Sequence, residues 1–229
     1  MAAGPQKLMH RCLLLQPGLV NYDTGLVLQR EARALVENGR YDGILLLLEH
    51  PPVVTIGRGG GDENLVAHPA WFKARGIAVA HTDRGGNVTG HNPGQLVGYP
   101  IFDLAKWRQD VHWFVHTLEE AIIRTLARYR LTAGRKAKYT GVWLADDKIA
   151  AIGVSVKRWI TGHGFALNVA NDLALFDTIV PCGIKEFGVT SLARAGVAAA
   201  VPEVAAQVAA EIAAVFDIEY SEPQGVETQ

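Results

Sequence analysis

Cys182 is one of only two cysteines in the chain and lies in the segment Ile179-Val180-Pro181-Cys182-Gly183-Ile184. Proline fixes φ and glycine permits φ > 0, so the pair can hold a small side chain at a set angle in a turn. A thiol held that way can act as a nucleophile. A thiol in the same turn can equally be a buried, inert hydrophobe, and the local residues admit both readings. Lys148 is a second candidate. It shares parity with Ala150, Ile152, Val154 and Val156 along a predicted strand. A regular strand therefore turns it to the same face as those apolar residues, where desolvation lowers an amine's pKa and suits it to proton transfer. One bulge reverses that parity.

Two further segments carry polar groups among small residues. Asp83-Arg84-Gly85-Gly86-Asn87-Val88-Thr89-Gly90-His91-Asn92-Pro93-Gly94-Gln95 sets Arg, Thr, His, Asn and Gln between four glycines. Such a loop lets the backbone approach a ligand closely, and it is also ordinary turn chemistry. It fits neither the P-loop pattern nor G-x-G-x-x-G opening a helix. His163-Gly164-Phe165-Ala166-Leu167-Asn168 places polar residues at the start of a strand in which Phe165, Leu167 and Val169 share a face. His163 there either orients a ligand or satisfies backbone groups.

The elements that must position these residues alternate between helix and strand without repeats. Asp23 is the expected N-cap of a helix running to Asn38, with Gly39 as its stop. Gly43 to Glu49 reads as a strand buried on both faces. A short helix over His68 to Arg75, a strand from Ile77 to His81 and another from Gln95 to Leu104 follow. Asp110 to Tyr129 is the clearest helix, its stripe Val111, Phe114, Val115, Leu118, Ile122, Leu126 and Tyr129 falling at 3.6-residue spacing. Val142 to Leu144, Ile149 to Arg158 and His163 to Val169 read as a three-stranded meander. Pro202 suits the first turn of a last helix with the stripe Val204, Val208, Ile212 and Val215. Helices on a mixed, partly antiparallel sheet make an α+β fold, one domain over residues 1–220 with a polar tail from 221 to 229.

Composition narrows the function. A net charge of −1 gives no protein-wide attraction to nucleic acid or anionic membrane. No apolar run approaches the length of a bilayer span, and residues 1–11 show no secretory pattern. Two cysteines make no disulfide framework, so a reducing, cytoplasmic setting is expected. Cys12, ahead of Leu13-Leu14-Leu15 in a first strand, reads as a core thiol.

Taken in order, the segments resemble the lipoyl(octanoyl) transferases, the octanoyl-[acyl-carrier-protein]–protein N-octanoyltransferases. The resemblance rests on Glu49-His50-Pro51 with Gly57-Arg58, then Arg84-Gly85-Gly86, Thr89, His91 and Pro93-Gly94-Gln95. It continues through Lys148-Ile149-Ala150-Ala151-Ile152-Gly153, His163-Gly164, Ala166-Leu167-Asn168, Pro181-Cys182-Gly183 and Thr190-Ser191-Leu192. Asn92 stands where the family pattern has glycine; if that position needs φ > 0, Asn is the least costly substitute.

The resemblance implies a mixed sheet packed by helices like the catalytic domain of biotin and lipoate ligases. It implies that Cys182 carries the acyl group as a thioester. Lys148 then has a role: a thiol with pKa near about 8.5 is only a few per cent thiolate at neutral pH, and a neighbouring ammonium stabilises the anion. By the same likeness Arg84, Gly85, Gly86, Asn87, Val88, Thr89, Gly90, His91, Ala151, Ile152, Gly153, Gly164, Phe165 and Ala166 line the acyl slot, with His163 and Asn168 as orienting residues. Small residues at Gly153, Gly164 and Ala166 are expected to leave room for the methylene chain, and backbone N–H groups near Gly85, Gly86 or Cys182–Gly183 are candidate oxyanion donors. The implied partners are octanoyl-acyl carrier protein and the lipoyl domains of 2-oxoacid dehydrogenase complexes and the glycine cleavage H protein. No metal or cofactor is implied, the donor being carried on the phosphopantetheine of the carrier protein. Arg135-Lys136-Ala137-Lys138 and Lys157-Arg158 are candidate docking charges for that acidic carrier. The alternative of the same fold is an ATP-dependent lipoate or biotin ligase, which needs no cysteine.

Overall fold

A computed structural model describes residues 9–180 and 187–221; Cys182 and Gly183 lie outside the described residues. The elements are β1 (His10–Leu19), α1 (Tyr22–Glu37), β2 (Gly43–Glu49), β3 (Val53–Ile56), α2 (Pro69–Ala74), β4 (Ala78–His81), β5 (Val88–His91) and β6 (Gln95–Phe102). They continue with α3 (Leu104–Trp107), α4 (Val111–Arg128), β7 (Gly134–Lys136), β8 (Tyr139–Leu144), β9 (Asp147–Lys157), β10 (Ile160–Asn168), α5 (Val201–Phe216) and β11 (Ile218–Ser221).

The apolar run of β2 needs cover on both faces and edges, and the fold supplies it. An eight-stranded sheet runs β11-β1-β2-β6-β10-β9-β8-β7, and a three-stranded sheet runs β4-β3-β5. β1 pairs in parallel with β2 and β11, while β2, β6, β10, β9 and β8 are joined antiparallel. On one face of the large sheet α4 and α5 bury Phe114, Leu118, Ile122, Val208 and Ile212 against Leu45, Leu96, Phe165 and Leu167. On the other face α1 packs Ala32 and Val36 against Leu46, Leu48, Val97, Tyr99 and Ala166. At about 1.5–3 kcal/mol for each large apolar side chain fully buried, these two layers supply most of the folding drive. This architecture is the expected α+β mixed sheet packed by helices.

Several boundaries differ from the sequence expectation for physical reasons. α1 begins at Tyr22 with Asn21 as N-cap, so Asp23 lies in the first turn, where its charge meets the positive end of the helix dipole. The α5 stripe closes on buried Phe216 in place of Val215. Asp217 (φ +56) then turns the chain into β11, an element with no strong sequence signal because it is four residues long. β10 begins at Ile160, ahead of His163. The β9–β10 hairpin turns on Arg158 and Trp159, both left-handed (φ +53 and +64), the geometry of a type I′ turn built without Asn-Gly.

Candidate active site

Alternation along β6, β9 and β10 sorts the predicted residues between the two layers. Gln95, Val97 and Tyr99, with Ala151, Gly153, Gly164, Ala166 and Asn168, are opposed across the ladders on the α1 face. The three-stranded sheet and the Arg84 loop lie over that face. Between them is a cavity of about 640 Å³, within the ordinary range for small-molecule sites, which also reaches Val111 and Val115 of α4. Arg84, Gly85, Gly86, Asn87, Val88, Thr89, His91, Lys148, Ala151, Ile152, Gly153, His163, Gly164, Phe165, Ala166 and Asn168 all line it. Of the residues expected there, Gly90 is placed elsewhere: a Cβ on it would meet Leu175 Cδ2 at 2.8 Å, so it backs onto the small sheet's own core.

The glycines act differently from expectation. A Cβ on Gly164 would lie 2.6 Å from Pro100 Cδ and against the Gly98 carbonyl, and one on Gly153 would lie 2.7 Å from the Gly85 carbonyl. These positions are small so that backbone can approach backbone in the direction a Cβ would take, and it is their backbone that lines the cavity. Phe165 is buried with its ring over Gly98, in the α4 layer. Gly85 N–H donates to Val154 O at 2.8 Å, so it is engaged in docking the loop and does not serve as an oxyanion donor. Next to it, Arg84 is buried and donates to the Thr55 carbonyl (2.6 Å) and hydroxyl (2.9 Å) and to the Gly85 carbonyl (3.1 Å). It thereby ties the loop to β3.

Lys148 sits on a different face from the one its parity predicts. The β8–β9 register pairs Val142 with Ala150 but Trp143 with Lys148, so Ile149 is an extra residue, a β-bulge. Ile149 and Ala150 both enter the α4 core, and Lys148 moves to the face of Ala151 and Gly153 and into the cavity wall. Its ammonium donates to the Thr140 carbonyl at 3.2 Å and lies 4.8 Å from the centre of the Trp143 ring. The returning chain pairs beside it: Lys148 N–H donates to Gly188 O at 2.9 Å, and Thr190 N–H donates to Lys148 O at 3.0 Å. Asn168 holds the same returning segment, donating to Thr190 O at 2.9 Å and accepting from Gln95 Nε2 at 2.9 Å.

At the other end the cavity is polar. His163 takes φ +56 inside β10, which interrupts the pleat and sets its ring beside Asp83 Oδ1 (2.7 Å) and Thr82 Oγ1 (3.2 Å). Burial pulls its pKa down, partly offset by the Asp83 carboxylate. Such strain in a non-glycine residue persists only where the surroundings enforce it, and here Gln29 of α1 accepts the His163 N–H at 2.8 Å. His50, with Nδ1 on Val20 O, accepts from the Tyr99 hydroxyl at 2.7 Å. His91 donates from Nδ1 to Gln95 Oε1 at 2.7 Å, and burial first, then neighbouring His50, pull its pKa down to about 3. It is a neutral imidazole at physiological pH. Asn92 has no left-handed φ; it replaces the family glycine by bridging Asp172 O (2.8 Å) and Asn171 Nδ2 (3.1 Å), while Gly94 next to it takes φ +91.

Sequence reasoning missed Tyr22, Val97, Tyr99, Val111, Val115, Tyr139, Thr140, Phe176 and Val189 as cavity residues. Val111 and Val115 signalled only burial, as members of the α4 stripe; the structure leaves them partly buried at the cavity. The others come from five separate segments that only the fold assembles. The basic clusters are largely neutralised: Arg135 pairs with Glu119 and Glu120, Lys136 with Asp146 and Arg158 with Glu37. That weakens the case for those residues as docking charges. Cys12 is fully buried and burial raises its pKa, as befits a core thiol. Among the described residues no group of three His, Cys, Asp or Glu side chains has the arrangement of a metal site, and no helix is long and apolar enough to cross a membrane.

The chain is similar to known proteins both in sequence and in fold. Residues 21–213 match the family model of the lipoyl protein ligase A/B catalytic domain. The octanoyltransferase of Caldanaerobacter subterraneus subsp. tengcongensis is 49% identical over 215 residues, 93% of this chain and 94% of that protein. That of Solibacter usitatus is 50% identical over 211 residues, 92% and 96% of the two chains. In fold, a putative lipoate protein ligase from T. acidophilum with bound lipoic acid superposes with a TM-score of 0.74 at 20% identity, covering 96% of this chain and 91% of that one. A biotin protein ligase from Aquifex aeolicus in complex with biotin and ATP gives 0.54 at 14% identity, over 90% and 70%. The chain belongs to the lipoyl protein ligase A/B catalytic domain family, among its octanoyltransferases.

Proposed function

We propose that this protein moves an octanoyl group from octanoyl-acyl carrier protein to a specific lysine of a lipoyl domain, through an acyl-thioester on Cys182. The Cys182 thiolate attacks the carbonyl carbon of the donor thioester. The new C–S bond forms as the bond to phosphopantetheine sulfur breaks, and the departing thiolate takes a proton from the Lys148 ammonium, which becomes a neutral amine. The target lysine amine then attacks the Cys182 thioester, the amide forms, Cys182 leaves as thiolate, and the amine's proton passes to Lys148. As an ammonium, Lys148 stabilises the Cys182 thiolate; as a neutral amine, it accepts that proton. Thioester-to-thioester exchange is nearly balanced in free energy, whereas amide formation draws the reaction forward.

The observation that carries this reading is the pairing of Gly188–Thr190 on Lys148. It brings the chain that follows Cys182 to the one lysine expected to act with it. Phe176, before Cys182 in the chain, and Val189, after it, line the same cavity. No cofactor of the protein's own is required, because the acyl group arrives activated on the carrier's phosphopantetheine. The acceptors are lipoyl domains of 2-oxoacid dehydrogenase complexes and the glycine cleavage H protein, and the setting is cytoplasmic.

Intact-mass spectrometry after incubation with octanoyl-carrier protein tests the proposal. A hydroxylamine-labile octanoyl adduct on Cys182, abolished in Cys182→Ser, is expected. An adduct on another residue, or turnover without one, refutes the covalent route. An enzyme that keeps its activity in Cys182→Ser and requires ATP is a ligase instead.

A further inference from the structure

Glu119 is a carboxylate in the middle of α4, only 4% exposed. It is the kind of residue that rarely enters a core without specific partners. Its Oε2 accepts from Arg135 Nε at 2.9 Å, with His116 Nδ1 at 3.5 Å. Its Oε1 accepts the backbone N–H of Gly141 at 2.9 Å. Gly141 lies in β8 with φ +126, a backbone state that side chains rarely adopt, and a Cβ there would stand 2.5 Å from the Ala150 carbonyl and 3.4 Å from Lys148 Cε. The residue before it is Thr140, whose carbonyl receives the Lys148 ammonium at 3.2 Å. The residue two positions after it is Trp143, whose ring centre is 4.8 Å from the same ammonium. One bend in β8 therefore sets both groups against Lys148, and the bond that fixes the bend comes from a different layer of the fold.

We propose that Glu119 is a positioning residue for Lys148: by pinning the Gly141 bend it aims the Thr140 carbonyl and the Trp143 face at the ammonium and so fixes where that charge stands in the cavity. The inference rests on Lys148 acting as the partner of the Cys182 thiolate. A carbonyl and an aromatic face both favour the cationic form of an amine. An ammonium held at one point stabilises a thiolate there far more than one that samples several positions, because the attraction falls with distance and with hydration. A helix-to-strand staple for stability alone would use the same Arg135 pair but would place no demand on the second oxygen.

The thiolate itself provides a readout that does not depend on protein partners. Iodoacetamide alkylation of Cys182 followed against pH gives its apparent pKa, and Cys12, fully buried, does not compete. Lys148→Met is expected to raise that pKa by about 1–3 units. Glu119→Leu should raise it by about one unit and lower kcat about tenfold with KM for the carrier protein unchanged. Glu119→Asp keeps the charge and the Arg135 pair but is one methylene too short for Gly141. It should move the profile in the same direction with a smaller loss of thermal midpoint than Glu119→Leu, and it decides the matter if the leucine variant does not fold. Glu119 variants that leave the profile in place while Lys148→Met shifts it overturn the positioning role and leave the reading of Lys148 standing. A profile unmoved by Lys148→Met overturns both.

Discussion

His91 makes the stability of this fold depend on pH in a way that can be measured one residue at a time. Its ring is buried beneath the Arg84 loop, 5.9 Å from the His50 ring, with Nδ1–H on Gln95 Oε1. Desolvation and the proximity of His50 hold its pKa down to about 3, against about 6.5 in an unfolded chain. The unfolded state therefore binds more protons throughout that window. The stability contributed by neutral His91 is complete above about pH 6.5 and is lost as the pH falls toward 3, at no more than about 1.4 kcal/mol per pH unit. Between pH 7 and pH 5 the loss is about 2 kcal/mol. His91→Asn keeps a donor near the position of Nδ1, so the bond to Gln95 persists while the titration disappears. Urea denaturation followed by tryptophan fluorescence at pH 7, 6 and 5 should show the wild type losing about 2 kcal/mol more than the variant. His50 and His163, both also lowered by burial, are present in both proteins, so the curves differ by His91 together with its coupling to His50. Two curves that stay parallel to within about 0.5 kcal/mol would refute the assignment of the proton deficit to His91.

Two further outcomes follow from the backbone. Gly153→Val puts a Cβ 2.7 Å from the Gly85 carbonyl, so the Arg84 loop must lift; we expect a loss of about 1–3 kcal/mol and a raised KM, read by thermal melting and steady-state kinetics. Gly134→Ala, with nothing within 4 Å of the new Cβ, is the matched control and should be neutral. Trp159→Gly relieves a left-handed non-glycine residue (φ +64) that is 38% exposed at the β9–β10 turn. It should raise stability by about 1 kcal/mol, a shift of about 2–4 °C in the thermal midpoint, and an unchanged or lower midpoint would show that the indole's contacts outweigh the strain.

Much of the fold was legible because burial has a period. The stripe over Phe114, Leu118, Ile122 and Leu126 reads as a helix in any context, and the run Ile44–Leu48 reads as a strand covered on both faces. The loop from Arg84 to His91 and the segments around Lys148 and His163 were legible as a set, since their types and order together match one family of catalysts. Short elements were not. β11 has four residues, too few to show a period, and exists because β1 offers it an edge to pair with.

The sequence by itself determined the fold class, the family and the candidate residues, because these depend on local periodicity and on residue types in a given order. Only the tertiary structure decided which way those residues point. Parity along β9 directed Lys148 into the apolar layer, and the bulge at Ile149 turned it to the cavity. Gly164 and Gly153 line the cavity as expected, and they are small because neighbouring backbone comes within 2.7 Å of where a Cβ would stand. Glu119, far from any motif, gained its significance from the Gly141 bend it reaches. A bulge, a left-handed φ and a close backbone approach each arise from pairing between segments distant in the chain, and one such event changes the direction of every side chain near it.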